Sequence, residues 1–123
     1  VRQNPAAAAP QAELGRALVL AGDPAAARPI LVELTRAHPD SVDGWFHLGI
    51  AQFQLGDNAA AADSFAAVVR LKPDYALGHF NLAHARKKLG DRAGAITAAE
   101  EALRCRPDYE AARQLLGDLR AGK

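Results

Sequence analysis

Pro39, Pro73 and Pro107 stand 34 residues apart, and a Gly-Asp pair precedes each at a fixed distance: Gly22-Asp23, Gly56-Asp57 and Gly90-Asp91. A further aspartate follows each proline, at Asp40, Asp74 and Asp108. Three periods in one register require a repeated supersecondary unit, each copy burying its apolar face against the next. That constraint precedes every other feature of the chain, and it moves the functional reading from catalysis towards binding.

Aligning the periods sorts the positions into columns. Leu14, Leu48, Leu82 and Leu116 share one, and Gly15, Gly49, Ala83 and Gly117 share the next, all small. Ala27, Ala61 and Ala95 form a later one. Between Pro39 and Gly56 the apolar residues Trp45, Phe46, Leu48, Ile50, Phe53 and Leu55 mix spacings of 3 and 4, a helical period. After Asp57 the series Ala61, Phe65, Val68, Val69, Leu71 behaves alike, and after Asp91 the series Ala95, Ile96, Ala99, Ala102, Leu103 does too. Each period therefore reads as two helices. The glycine ends the first by accepting a left-handed backbone, and its aspartate caps the second. Pro24 fits the first turn of such a helix. The proline closing each period stops the second helix, and the aspartate behind it is expected to start the next. Pro29 falls inside a second helix, which predicts a bend or a late start there.

These residues resemble the tetratricopeptide repeat, whose pattern is a Trp, then Leu-Gly, an aromatic, Gly, Ala, Phe, Ala and Pro over 34 residues. The middle repeat carries most of it, in Trp45, Leu48-Gly49, Gly56, Ala61, Phe65 and Pro73. The first has Leu14-Gly15, Gly22, Ala27, Leu31 and Pro39; the third has Leu82-Ala83, Gly90, Ala95, Ala99 and Pro107. Departures are Gln11 and His79 in the place of Trp45, and Leu18, Gln52 and Arg86 in the aromatic column. The resemblance implies an all-α fold, a right-handed superhelix of three helix-turn-helix hairpins. Their expected spans are 8–41, 42–75 and 76–109, after a linker or tail at 1–7. Residues 110–121 read as a capping helix, with Leu115, Leu116 and Leu119 inward and Glu110, Arg113, Gln114, Asp118 and Arg120 outward.

The remaining composition narrows the function classes. A formal charge of +1 leaves no footprint for nucleic acid or an acidic membrane surface. No apolar run nears the roughly 18 residues of a membrane span. Cys105 is the single cysteine, which fits a reducing compartment and favours the cytoplasm over the periplasm. The chain lacks Met and opens Val1-Arg2-Gln3-Asn4-Pro5, so either an N-terminal segment is removed or, the favoured reading, this is a piece excised from a longer protein. Gly117 to Lys123 spells G-x-x-x-x-G-K, but a phosphate loop needs a strand before it and a Ser or Thr after the lysine. His79 and His84 are five apart, on different sides of a helix, so no metal site is expected. No catalytic constellation and no cofactor site emerges.

Binding is the function that the resemblance implies. In the family the first helices of successive repeats line a concave surface that receives an extended peptide or a partner helix. Carried over by position, the lining comprises Arg16, with Val19 and Leu20, from the first repeat. The second contributes Asp43, Phe46, His47, Ile50, Phe53 and Gln54, and the third Leu77, Phe80, Asn81, His84, Lys87 and Lys88. Phe46 and Phe80 are 34 apart and are expected to stack as a ladder along the groove. Lys87 and Lys88 add positive charge near one end. Repeats that capture the acidic tails of heat-shock chaperones use a clamp of Lys, Arg and Asn. Here the matching places hold Ala12, Arg16, His47, Leu77 and Asn81, so most of that clamp is missing. The expected function is a non-enzymatic scaffold for a protein or peptide partner. The alternatives are a homo-oligomerising module, or the accessory region of a larger, bacterial-looking glycosyl-, sulfo- or hydroxyl-transferring enzyme.

Overall fold

Each Gly-Asp pair turns one helix into the next, and this turn sets the whole architecture. A computed structural model describes residues 8–123; the linker or tail expected at 1–7 lies outside the described residues. Gly22, Gly56 and Gly90 have φ of 82°, 83° and 80°, a region that side chains disfavour. Their N–H groups donate to the carbonyls of Val19, Phe53 and Lys87, and the aspartate N–H groups to those of Leu18, Gln52 and Arg86. Both bonds of the Schellman motif are thereby closed. The carboxylates of Asp23, Asp57 and Asp91 then accept from the N–H of Ala26, Ala60 and Gly94, giving orphan donors a partner.

The helices are α1 (Ala8–Leu20), α2 (Pro24–Ala37), α3 (Val42–Gln54), α4 (Asn58–Leu71), α5 (Ala76–Lys88), α6 (Arg92–Cys105) and α7 (Glu110–Arg120). They pack as hairpins α1–α2, α3–α4 and α5–α6, each stacked on the next, with α7 closing the far end. The result is a helical solenoid, with no strand among the described residues.

Two local expectations are corrected. Asp40, Asp74 and Asp108 do not cap the following helices. They occupy tight turns closed by Ser41, Tyr75 and Tyr109 donating to the carbonyls of His38, Lys72 and Arg106. With proline in the second place of the turn, its preferred one, the aspartate is used up in the third. The helix begins a residue later, capped by the Ser41 hydroxyl before α3 and without a side-chain cap at Tyr75 and Tyr109. The second correction is partial: of the bend or late start expected at Pro29, the late start is excluded, since α2 starts directly after Asp23 and runs through the proline. The proline is exposed.

Packing within a hairpin follows a size rule. A Cβ at Gly49 would press into the Phe65 ring and one at Gly15 into Leu31, so a bare glycine faces a large side chain in two repeats. In the third repeat the same two columns hold Ala83 and Ala99, both fully buried. The column of Trp45 is unified by chemistry instead of shape. Trp45 Nε1 donates to the Pro39 carbonyl at 2.8 Å, and His79 Nε2 is 2.8 Å from that of Pro73. Arg113 Nη2 donates to the carbonyl of Pro107 at 3.1 Å. Three unlike residues thus tie a first helix to the turn before it. Leu115, Leu116 and Leu119 of α7 are buried, and Arg92 of α6 donates to the Leu119 and Arg120 carbonyls at its end. Gly122, at φ 80°, ends α7 as the other glycines end first helices, which accounts for the G-x-x-x-x-G-K string.

Candidate functional site

Helices α1 and α3 pack together, whereas α3 and α5 stand apart and meet chiefly through α4. The gap opens into a pocket of about 440 Å³ lined by Ile50, Phe53 and Gln54 of α3, Phe65 of α4, and Asn81 and His84 of α5. Phe65 is buried and forms the floor; Ile50 and Phe53 are half-buried walls. The amides of Gln54 and Asn81 and the imidazole of His84 supply polar groups around an otherwise apolar cleft. Such a combination suits a ligand that inserts one apolar side chain and offers hydrogen-bonding groups beside it.

Of the residues expected on this face, Ile50, Phe53, Asn81 and His84 converge in the pocket, with Gln54. His47 lies half-buried on α3, and the charges of Asp43, Arg16 and Glu13 act on it. Lys87 and Lys88 act likewise on His84. Leu77 is exposed at the start of α5 and outside the pocket lining, and Leu20 is exposed on α1. Val19 is buried in the core beside Leu31 and Leu34 and is removed from the lining.

The expected stack of Phe46 on Phe80 is corrected. Phe46 meets Tyr75 with ring centroids 5.7 Å apart, and Phe80 meets Tyr109 at 5.0 Å. Phe46 also touches Phe65 edge-on at 6.3 Å, and Phe80 touches His84 at 4.7 Å. The period survives, but each rung is a phenylalanine covered by the tyrosine at the cap position of the helix two further on, α5 or α7. Lys72 and Arg106 lie over those tyrosine rings at 4.7 and 4.9 Å, in cation–π geometry. Sequence reasoning passed over Tyr75 and Tyr109, although their own 34-residue spacing was a usable signal.

Burial holds the His84 imidazole below its ordinary value of 6.5, and Lys87 and Lys88 push in the same direction. Burial also lowers His47; Asp43 opposes this, Arg16 adds to it and Glu13 opposes it. Both rings should give NMR titration midpoints below 6.5. Because the unfolded chain protonates first, the stability carried by the neutral rings is complete above pH 6.5. It is lost as the pH falls from there through the folded midpoints. His84→Gln should flatten this decline, and a midpoint above 6.5 for His84 would contradict its placement.

Among the described residues no group of three or more His, Cys, Asp or Glu could hold a metal ion. None of their helices is long and apolar enough to cross a membrane.

A solenoid of helical hairpins with an open face between first helices defines a class of repeat protein. The chain belongs to the tetratricopeptide repeat family: residues 12–76 match one model described as tetratricopeptide repeat, and residues 78–109 match a second of the same description. Among solved structures, one of MamA superposes with a TM-score of 0.90 at 24% identity, covering 94% of this chain and 67% of that one. The first TPR of Spaghetti (RPAP3), bound to the HSP90 peptide SRMEEVD, gives 0.89 at 21% identity, with 94% and 91% covered. A Thermobaculum terrenum O-GlcNAc transferase mutant gives 0.83 at 25% identity over 97% of this chain, which spans only 23% of that protein. A comparison with curated protein sequences gave no match.

Proposed function

We propose that the protein is a non-enzymatic interaction module that grips a peptide or helix of a partner protein between α3 and α5. The observation that carries this reading is the pocket itself, with Ile50, Phe53 and Phe65 as its apolar surface and Gln54, Asn81 and His84 as its polar rim. An apolar cleft with a few convergent polar groups is the usual form of a binding site. A similar fold holding a peptide in the RPAP3 structure supports the same reading. The ligand inserts a bulky apolar side chain over Phe65, and acidic residues beside it meet Lys87 and Lys88.

The test is selection from a random displayed-peptide library against the intact protein, followed by affinity measurement on purified variants. Phe80 is covered by Tyr109 and is a poor probe, so Phe53→Ser and Asn81→Ala are used. Selected peptides should carry a large apolar residue with an acidic neighbour. Each variant should weaken them at least about tenfold, or 1.4 kcal/mol, while helical circular dichroism is unchanged. Peptides that bind both variants as tightly as the parent would refute the pocket as the site.

A further inference from the structure

The last turn of α5 gathers three groups that can carry positive charge. His84, Lys87 and Lys88 stand at i, i+3 and i+4, so their side chains share one face of the helix. His84 is half-buried and lines the pocket, its ring edge-on to Phe80 at 4.7 Å. Lys87 is half-buried and Lys88 exposed, and neither enters an ion pair among the described residues, where all five pairs belong to arginines. The charges that act on the imidazole are those of the two lysines. Helix α5 carries no acidic residue of its own. Helices α3 and α4 present Ile50, Phe53, Gln54 and Phe65 to the pocket, none of them ionisable. Asp43 of α3 acts on His47 and Tyr75 instead. Glu100 and Glu101 of α6 are engaged by Arg120 and Arg104, and Glu110 of α7 by Arg113. Tyr109, ahead of α7, reaches the group only through Phe80. Like charges at this spacing repel. The helix dipole, about half a charge at this end, offsets only part of that repulsion.

We propose, on the reading that the pocket is the binding site, that capture there is proton-coupled: a carboxylate of the partner segment docks against His84, Lys87 and Lys88, and His84 takes up a proton as it does. In the free protein burial disfavours the imidazolium, and so do both lysines. A docked carboxylate reverses that balance, since it brings the missing opposite charge against all three groups and displaces water from between them, where attraction is stronger. Linkage fixes the sign. A site that gains a proton with its ligand holds that ligand more tightly as the pH falls, until the free imidazole is itself protonated. A ligand that merely covered the ring with apolar surface would do the reverse, expelling the proton and weakening in acid. His84 is therefore the group that makes the grip on an acidic segment responsive to pH.

The test uses two probes. Glutarate, a small dicarboxylate, is added to the isotope-labelled protein, with sodium chloride of equal ionic strength as the control, and the His84 ring is titrated by NMR. Its midpoint should rise above that of the chloride control; a midpoint no higher than the control overturns the inference. The second probe is a library-selected peptide that Phe53→Ser weakens, used also with each Glu or Asp changed to Gln or Asn. Its affinity should rise at least about fivefold from about pH 7.5 to about pH 5.5, with proton uptake seen by calorimetry in buffers of differing ionisation heat. In His84→Gln, and with the amide form of the peptide, the ratio of the two affinities should fall to about one. An affinity that drops in acid, or a ratio that survives His84→Gln, overturns the coupling. If no selected peptide is weakened by Phe53→Ser, the pocket reading fails, and the glutarate titration still decides whether this edge holds a carboxylate.

Discussion

Phe65→Ala is expected to lower stability by about 3–5 kcal/mol, the usual cost of deleting a buried aromatic side chain. For a chain of this size that is a fall of roughly 10–20 °C in the thermal midpoint. The expectation rests on how many partners the ring serves at once. Phe65 is 2% exposed, lies against Gly49 of α3, meets Phe46 edge-on, and floors the cleft facing Asn81 and His84 of α5. In a solenoid the stability is close to a sum over neighbouring units. Loss of the ring therefore weakens both the α3–α4 hairpin and its seat on α5. Hydrogen exchange should show protection falling first in α3, α4 and α5, with less change in α1 and α2. A midpoint within a few degrees of the parent would mean that the ring is not the central packing element described here.

What the sequence discloses and what it withholds divide along one physical line. Gly22, Gly56 and Gly90 announce their turns because a left-handed backbone has almost no other tenant. Their aspartates announce caps because orphan N–H groups need an acceptor in that place. Asp40, Asp74 and Asp108 carry the same residue type but are spent one position early, since a proline in a turn commits the residue behind it. Leu14 shows a second limit. It shares a column with Leu48, Leu82 and Leu116, yet a column records pattern, and burial needs a neighbour to supply it. The pocket has no local signature at all. It exists because α3 and α5 meet chiefly through α4, and that separation arises only when hairpins are stacked. The aromatic rungs were half legible: Phe46 and Phe80 keep the period, but their covering partners, Tyr75 and Tyr109, lie just ahead of the first helices where the helical pattern was read.

Gly49→Ala should change sign according to what stands opposite it. Inside a helix the substitution ordinarily adds about 1 kcal/mol of stability. Here the new methyl would stand 2.7 Å from one Phe65 ring carbon and 2.9 Å from two more, well inside carbon–carbon contact. The ring is 2% exposed and packed edge-on against Phe46, and overpacking of this kind costs about 1–3 kcal/mol. The net expectation in the parent is a loss of about 1 kcal/mol. With Phe65→Ala already made, the obstruction is gone and the same methyl should gain about 1 kcal/mol, a coupling of about 2 kcal/mol between adjacent sites. The molecule contains its own control, because the third repeat already pairs Ala83 with Ala99 and buries both completely. Denaturant midpoints for the four proteins of the cycle measure the coupling directly. If Gly49→Ala has the same effect in both backgrounds, the small column is not kept small by the ring, and the size rule of the hairpins fails at its central repeat.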